Sequence, residues 1–202
     1  TDWGVHEIDI ALYAMQAEAP ISVMASGGKL AYPDDASETP DTLQAIFQYK
    51  DFNMLWEHAT GIDNGPYGRR EGIAFIGNNG TLVVDRGGYE VVTERQADGY
   101  AKWTNDKMKP IEAYKKPDEL NYLDLHTQNF VAAVRKNDQS FLNTPMRSGS
   151  VAAINAQMGN IAYKTASKIF WDPKKGNFGA HTEANKLIKA EYHNGWEMPA
   201  EI

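Results

Sequence analysis

Short strand-like segments separated by tight turns constrain the fold of this chain more than any other feature. Residues 73–76, 81–85 and 89–93 have strand-like lengths and are rich in β-branched and aromatic side chains. Between them lie residues 77–80 (Gly-Asn-Asn-Gly) and 86–88 (Arg-Gly-Gly), which are typical of tight turns. Strands that follow one another with no helix between them pair antiparallel. The sequence therefore predicts an antiparallel sheet and not a parallel dinucleotide-binding one.

The segments before and after this region extend the same pattern. Residues 42–49 and 53–60 predict a hairpin, and residues 21–32 a strand with an irregularity at Gly27-Gly28. The proline- and acid-rich residues 33–41 predict a surface loop, and residues 96–119, polar with two prolines, predict an irregular connection.

Helices are predicted at the two ends of the chain. The spacing of apolar residues predicts helices over residues 3–17, 120–136 and 145–168, and a short one over residues 181–189. Residues 170–175 are predicted as a short polar-edged segment and residues 192–202 as an extended tail. Strands grouped between helices indicate an α+β fold.

Composition narrows the classes of function. The chain has 202 residues, 42% of them hydrophobic, which is enough for one large domain or two small ones. A net charge of −7 argues against a general attraction to nucleic acid or anionic membranes. No apolar run is long enough to cross a bilayer, and the absence of cysteine excludes disulfides and thiolate sites. A small-molecule partner is the better expectation.

The first helix carries the most suggestive polar pattern. Asp2, His6, Asp9 and Tyr13 are spaced so that they form one stripe at about 100° per residue. An apolar stripe of Val5, Ile8, Leu12 and Met15 lies roughly 110° away. An imidazole in line with carboxylates suits proton transfer. The alternative is that His6 and Asp9 pair on a solvated surface and that Asp2 caps the helix.

Candidate substrate contacts come from two other places. Trp56 and His58 share one face of a predicted strand, and Tyr67, Arg69 and Arg70 belong to the glycine-rich loop 61–72. Stacking and hydrogen bonding by such side chains suit polyhydroxylated ligands. The alternative is a sheet face packed on a helix or on another subunit.

Several motifs are missing. No Gly-x-Gly-x-x-Gly or Walker-type phosphate loop occurs, so no cofactor-binding residue is assigned. The histidines do not form the paired spacing of a zinc helix, and no metal site is predicted. His126, His181 and His193 are interpreted as structural. No Gly-x-Ser-x-Gly is present to support a serine hydrolase.

Separate blocks along the chain resemble one family. They are residues 2–9 (Asp-Trp-Gly-Val-His-Glu-Ile-Asp), 129–131 (Asn-Phe-Val) with Arg135, 158–164 (Met-Gly-Asn-Ile-Ala-Tyr-Lys), 171–173 (Trp-Asp-Pro), 183–185 (Glu-Ala-Asn) and 192–196. In this order they resemble the C-terminal domain of the glucose-fructose oxidoreductase, inositol dehydrogenase and rhizopine-catabolism (Gfo/Idh/MocA) family, in a bacterial branch. The resemblance covers essentially the whole chain.

The resemblance implies that two domains have separate functions. In that family an N-terminal Rossmann domain binds NAD or NADP. A C-terminal open antiparallel sheet with helices on one face, a dihydrodipicolinate reductase-like fold, forms the sugar or cyclitol pocket and the subunit contact. Residues 1–202 would then be a single substrate-binding and oligomerisation domain whose nucleotide-binding domain is missing. We expect it to be inactive alone and to form a homodimer or homotetramer through its sheet.

The resemblance also implies roles for individual residues. His6 and Asp2 match the catalytic histidine and aspartate, and Asp9 matches a polar position near the substrate. The lysine that works with them would lie upstream of Thr1. Trp56, His58, Tyr67 and Arg69 are the expected substrate contacts. Two alternatives stay open: an NAD-dependent glycoside hydrolase domain of the same family, and a non-catalytic domain for assembly or ligand binding. The cellular compartment is undetermined, since a leader could precede Thr1.

Overall fold

The computed structural model describes residues 2–98, 102–190 and 192–197, with only the backbone described for residues 98 and 102–104. The described elements are, in chain order, α1 (Asp2–Met15), β1 (Ser22–Gly28), β2 (Thr42–Gln48), β3 (Asn53–Ala59), β4 (Ile73–Ile76), β5 (Gly80–Asp85), β6 (Gly88–Thr93), β7 (Arg95–Asp98), β8 (Lys102–Asp106), β9 (Tyr114–Lys115), α2 (Tyr122–Lys136), α3 (Met146–Thr165), β10 (Ile169–Phe170) and α4 (Thr182–Lys186). Every strand pairing in the described sheets is antiparallel. The predicted α+β class and mainly antiparallel sheet are confirmed.

The chain forms two compact units. Unit 1 comprises Thr1–Gly61 and Ser150–Ile202, and unit 2 comprises Ile62–Gly149. Unit 1 contains a sheet of order β10-β1-β2-β3 with α1 and most of α3. Unit 2 contains a sheet of order β4-β5-β6-β9, the two-stranded sheet β7-β8, and α2.

The core of unit 1 lies between one face of its sheet and the two long helices. Val23, Ala45 and Phe47 point inward from adjacent strands and pack with residues of α1 and α3, among them Ile8, Leu12, Met158, Ile161 and Ala162. Gly159 of α3 lies so close to the sheet that an added β-carbon would be 3.3 Å from Phe47 Cζ. Glycine at this position lets α3 approach the strands closely.

One buried polar group ties α3 to the rest of unit 1. Asn155 is 1% exposed, and its side-chain amide donates hydrogen bonds to the carbonyl oxygens of Glu18 (2.8 Å) and Val151 (2.9 Å). The hydroxyl of Tyr49 donates to Asn155 Oδ1 at 2.8 Å. Burial raises the pKa of Tyr49 far above its ordinary value, so the hydroxyl stays a donor.

Unit 2 differs from its prediction in residues 96–119. This segment was expected to be irregular, but it contains β7, β8 and β9. Tyr114 of β9 pairs with Tyr89 of β6, and the two rings stack at 5.7 Å between centroids. Gly88 has φ 143°, and an added β-carbon would lie 1.9 Å from the Tyr114 carbonyl oxygen. β9 forms by pairing with the distant β6, and β7 and β8 pair with each other; the polar composition of the segment reveals neither pairing.

The other boundaries differ by a few residues. The predicted long helices correspond to α1, α2 and α3, and the short helix 181–189 is reduced to α4. Part of the predicted tail, residues 198–202, lies outside the described residues. Within the described part of the chain, no helix has the length and apolarity needed to cross a membrane.

Candidate active site

Helix α1 presents its polar stripe on the side away from the sheet. Its buried residues are Gly4, Ile8, Ala11 and Leu12, and an added β-carbon on Gly4 would lie 3.5 Å from the Trp56 ring. Counted at 100° per residue, the stripe of Asp2, His6, Asp9 and Tyr13 is centred roughly 145° from that packed face. Asp2, His6 and Tyr13 are exposed and Asp9 is half-buried. The stripe is therefore free for contacts from outside its own sheet.

The nearest charge partner of His6 that the electrostatics identify is Asp9. Burial raises the pKa of Asp9, and a positive charge on His6 acts in the opposite direction. The two residues stand three apart on α1, a spacing at which helical side chains are neighbours. Among the hydrogen bonds of the described residues, none joins His6 to Asp2 or to Asp9. An imidazole close to a partly desolvated carboxylate can accept a proton and have the resulting charge stabilised.

Trp56 and His58 lie on the inner face of β3 and contact each other. The indole Nε1–H of Trp56 donates to His58 Nδ1 at 3.2 Å, an arrangement that assigns the ring proton of His58 to Nε2. That Nε2–H donates to the carbonyl oxygen of Pro40 at 3.2 Å. Both ring nitrogens of His58 are thus engaged within the protein. The pair joins the end of β3 to the loop before β2, directly beneath the N-terminal turn of α1.

Asp41 fixes the loop before β2, and the sequence did not identify Asp41 as a structural residue. The buried carboxylate accepts hydrogen bonds from the backbone N–H groups of Leu30 (2.9 Å), Ala31 (3.1 Å) and Tyr32 (2.8 Å). Burial by itself would raise the pKa of Asp41, but these donors and the Thr42 hydroxyl hold it well below its ordinary value. Aspartate directly before a strand, within a loop rich in turn residues, is the signal that could have identified it.

In unit 2 the glycine-rich loop is anchored through Arg69. Its guanidinium binds Asp85 and, at 2.8 Å, Glu90 Oε1. Burial alone would raise the pKa of Asp85, but Arg69 and nearby backbone N–H groups lower it overall. Tyr67 sits in a left-handed conformation at φ 60° and is exposed. Arg70 is exposed and lies 3.6 Å from an oxygen of Asp63. Arg69 therefore orders the loop that presents Tyr67.

The candidate residues occur in three groups. His6 and Asp9, with Asp2 nearby in sequence, lie on the outer stripe of α1; Trp56 and His58 lie on the inner face of β3; Tyr67 and Arg69 lie in unit 2. No described group of three histidine, cysteine, aspartate or glutamate side chains is arranged to hold a metal ion. The described sheets contain no parallel strand pair, so these residues do not form a βαβ dinucleotide site.

Known proteins share this fold at low sequence identity. No family model matches the chain, and no curated protein matches it. Among solved structures, a proposed oxidoreductase from Bacillus subtilis matches with a TM-score of 0.56 and 15% identity, over 85% of this chain and 52% of that one. One from Thermotoga maritima matches with a TM-score of 0.55 and 15% identity, over 83% and 45% of the two chains.

A third, from Bacteroides fragilis, has a TM-score of 0.54 and 15% identity, over 84% of this chain and 52% of that one. This is a fold found in oxidoreductases. The chain spans about half the length of each of these proteins, with coverages of 52%, 45% and 52%. At this identity the comparison establishes the fold, and activity has to be argued from the side chains.

Proposed function

We propose that this chain is the substrate-binding and oligomerisation domain of an NAD(P)-dependent oxidoreductase of the Gfo/Idh/MocA family, in its bacterial branch. The enzyme would act on a hydroxyl of a sugar, cyclitol or related polyol. The nucleotide, which accepts hydride, would be bound mainly by a domain outside these residues. In support, the chain has the fold of about half of each matched oxidoreductase, and its described sheets contain no parallel strand pair of the kind that a βαβ dinucleotide site needs.

The observation that carries the proposal is the outer stripe of α1. His6 is exposed on the face that its own sheet does not cover, three residues before the half-buried Asp9. In this role His6 removes the proton of the substrate hydroxyl, and the carboxylates of Asp2 and Asp9 stabilise the imidazolium that results.

The other candidate residues are proposed as substrate contacts within their own units. Trp56 and His58 are half-buried and both nitrogens of His58 are already bonded, so in this proposal they would contact a sugar through their rings only. In unit 2, Tyr67 would offer a hydroxyl, and Arg69, held by Asp85 and Glu90, would orient the loop that carries it.

The test uses the complete natural polypeptide that contains this sequence. Purified His6→Ala and wild-type enzyme are assayed for NADH or NADPH formation with a panel of polyols, and nucleotide affinity is measured separately. We expect turnover to fall about 10²- to 10⁴-fold in His6→Ala, the usual contribution of a positioned base, with nucleotide affinity unchanged. His126→Ala, which removes an exposed histidine of α2, is the matched control and should keep its activity. Full activity in His6→Ala would exclude the proposed mechanism.

The outer face of the unit 1 sheet supports the proposed oligomer. Met24, Ile46 and Leu55 are aligned across three adjacent strands on the face away from the core. They are 42%, 43% and 60% exposed, so the row is accessible to a partner. A contiguous exposed apolar row on a sheet is typical of a protein interface. We propose that a homodimer or homotetramer forms through this face.

A further inference from the structure

A cavity near the end of unit 1 is distinct from every candidate residue discussed above. It has a volume of about 340 Å³ and is lined by Phe170, Trp171, Asp172, Phe178, Gly179, Ala180 and His181. Binding sites for small molecules have volumes from about 300 Å³ upwards, so this cavity would hold one ring-sized ligand. Its lining comes entirely from a short stretch that follows α3.

The walls of this cavity are held rigidly. Trp171 and Phe178 pack edge to face with ring centroids 5.0 Å apart, and Phe178 is buried. The backbone N–H of Phe178 donates to Asn185 Oδ1 at 2.8 Å, and the Asn185 amide donates to the Gly179 carbonyl at 2.9 Å. The backbone N–H of Asp172 donates to the Asn177 carbonyl at 2.8 Å. A preformed wall lowers the ordering cost of binding.

One wall of the cavity is an aromatic ring open to solvent. Phe170 is 58% exposed, and the Lys168 ammonium lies 5.4 Å from its centroid. Exposed aromatic rings at the edge of a concavity stack on flat apolar faces of ligands.

Two polar groups at the same cavity have unused hydrogen-bonding capacity. His181 Nδ1 accepts from the Ala184 backbone N–H at 3.2 Å, so the imidazole carries its proton on Nε2 when neutral. None of the hydrogen bonds of the described residues uses that Nε2–H. Asp172 Oδ1 accepts from two backbone N–H groups, whereas Oδ2 has only Lys175 Nζ at 3.7 Å. The cavity thus offers a donor and an acceptor beside its aromatic wall.

We propose that this cavity is a binding site for a single monosaccharide or cyclitol ring. A hydroxyl group can accept from His181 Nε2–H and donate to Asp172 Oδ2, and the carbon–hydrogen face of such a ring can stack on Phe170. A purely apolar ligand would desolvate both polar groups without replacing their hydrogen bonds, which is unfavourable. The site shares no residue with the stripe of α1, so this proposal can be tested independently of the proposed catalytic role of His6.

The experiment titrates the isotope-labelled 202-residue chain with glucose, galactose and myo-inositol, and follows the backbone amide signals of residues 170–181 by NMR. We expect saturable shifts with a dissociation constant of about a millimolar, as suits a ligand of this size. Phenol, a flat aromatic ring with one hydroxyl, should bind more weakly. If the sugars produce no saturable shift at about 0.1 M, or if phenol binds more tightly than they do, the proposal is wrong.

Two variants locate the binding. His181→Asn keeps an acceptor for the Ala184 N–H, because asparagine is a good helix cap, but removes the Nε2–H donor. Phe170→Ala removes the exposed ring from a position that contributes little to the core. Each should weaken binding about tenfold, as expected for the loss of one hydrogen bond or one stacking contact. His193→Asn, outside the cavity, should leave the titration unchanged. If both cavity variants bind the sugars as tightly as the wild-type chain does, the assignment of the site is wrong.

Discussion

Replacing Asn155 by alanine tests the packing of unit 1 most directly. The side chain is 1% exposed and makes three hydrogen bonds, one accepted from Tyr49 and two donated to backbone carbonyls. The Val151 carbonyl lies four residues earlier in α3 and can keep its helical partner. The substitution therefore leaves the buried Tyr49 hydroxyl without the Asn155 acceptor and removes the hydrogen bond from Asn155 to the Glu18 carbonyl.

The magnitude follows from these two losses. A buried polar group left unsatisfied costs about 1–3 kcal/mol and one further lost hydrogen bond about 1 kcal/mol, so Asn155→Ala should lower the free energy of unfolding by about 2–4 kcal/mol. That is a large part of the 5–15 kcal/mol typical of a domain. The free energy of unfolding is measured by urea denaturation followed by circular dichroism.

A second variant separates hydrogen bonding from packing. Tyr49→Phe removes the hydroxyl and should cost about 1 kcal/mol. In the double variant the unpaired hydroxyl no longer exists, so the combined loss should be smaller than the sum of the two single losses by about 1 kcal/mol or more. If Asn155→Ala costs less than about 1 kcal/mol, or if the two losses simply add, the buried network does not stabilise unit 1 as argued.

Two further predictions concern the sheet face and the loop before β2. Ile46→Glu places a charge in the centre of the exposed row and should convert an oligomer formed through this row into a monomer, as measured by light scattering. Glu57→Gln, on the same face of the sheet, is the control. An unchanged mass in Ile46→Glu would exclude this interface. The pKa of Asp41 is lower in the folded chain than in the unfolded chain, where an aspartate titrates at about 3.9. The contribution of Asp41 to stability is therefore present above about pH 3.9 and is lost as the pH falls from there through the folded pKa. Asp41→Asn should therefore lower the free energy of unfolding near neutral pH and make that free energy depend less on pH below about 4. Urea denaturation at a series of pH values measures both effects, and an unchanged pH dependence would contradict the role argued for Asp41.

Local sequence signals found the elements that rest on local interactions. The glycine-rich turns at residues 77–80 and 86–88 and the hairpin around residue 51 are visible because their turn residues adopt particular backbone conformations. The outer stripe of α1 follows from helical periodicity, and its exposure agrees with that spacing. For the same reason His6 and Asp9 could be paired from sequence alone.

Contacts between distant residues could not be found in this way. The apolar stripe predicted for α1 included Met15, which is 40% exposed, whereas Gly4 and Ala11 are buried. Gly4 lets the helix lie close to the Trp56 ring. His58 stays a predicted substrate contact, and only the structure shows that its two nitrogens bond to Trp56 and Pro40. Arg69 is similarly engaged by Asp85 and Glu90, whose positions depend on how β5 and β6 pair.

By itself, the sequence determined most of the helices and strands but not β7, β8 and β9, that the sheets are antiparallel, and that a polar stripe runs along the first helix. These properties depend on turn chemistry and periodicity, which act over a few residues. Only the tertiary structure decided which side of α1 meets the sheet, that Asp41 and Asn155 are buried at hydrogen-bonding junctions, and that residues 170–172 and 178–181 line a cavity. Those outcomes depend on strands and helices far apart in the chain, and on whether each buried polar atom finds a partner there.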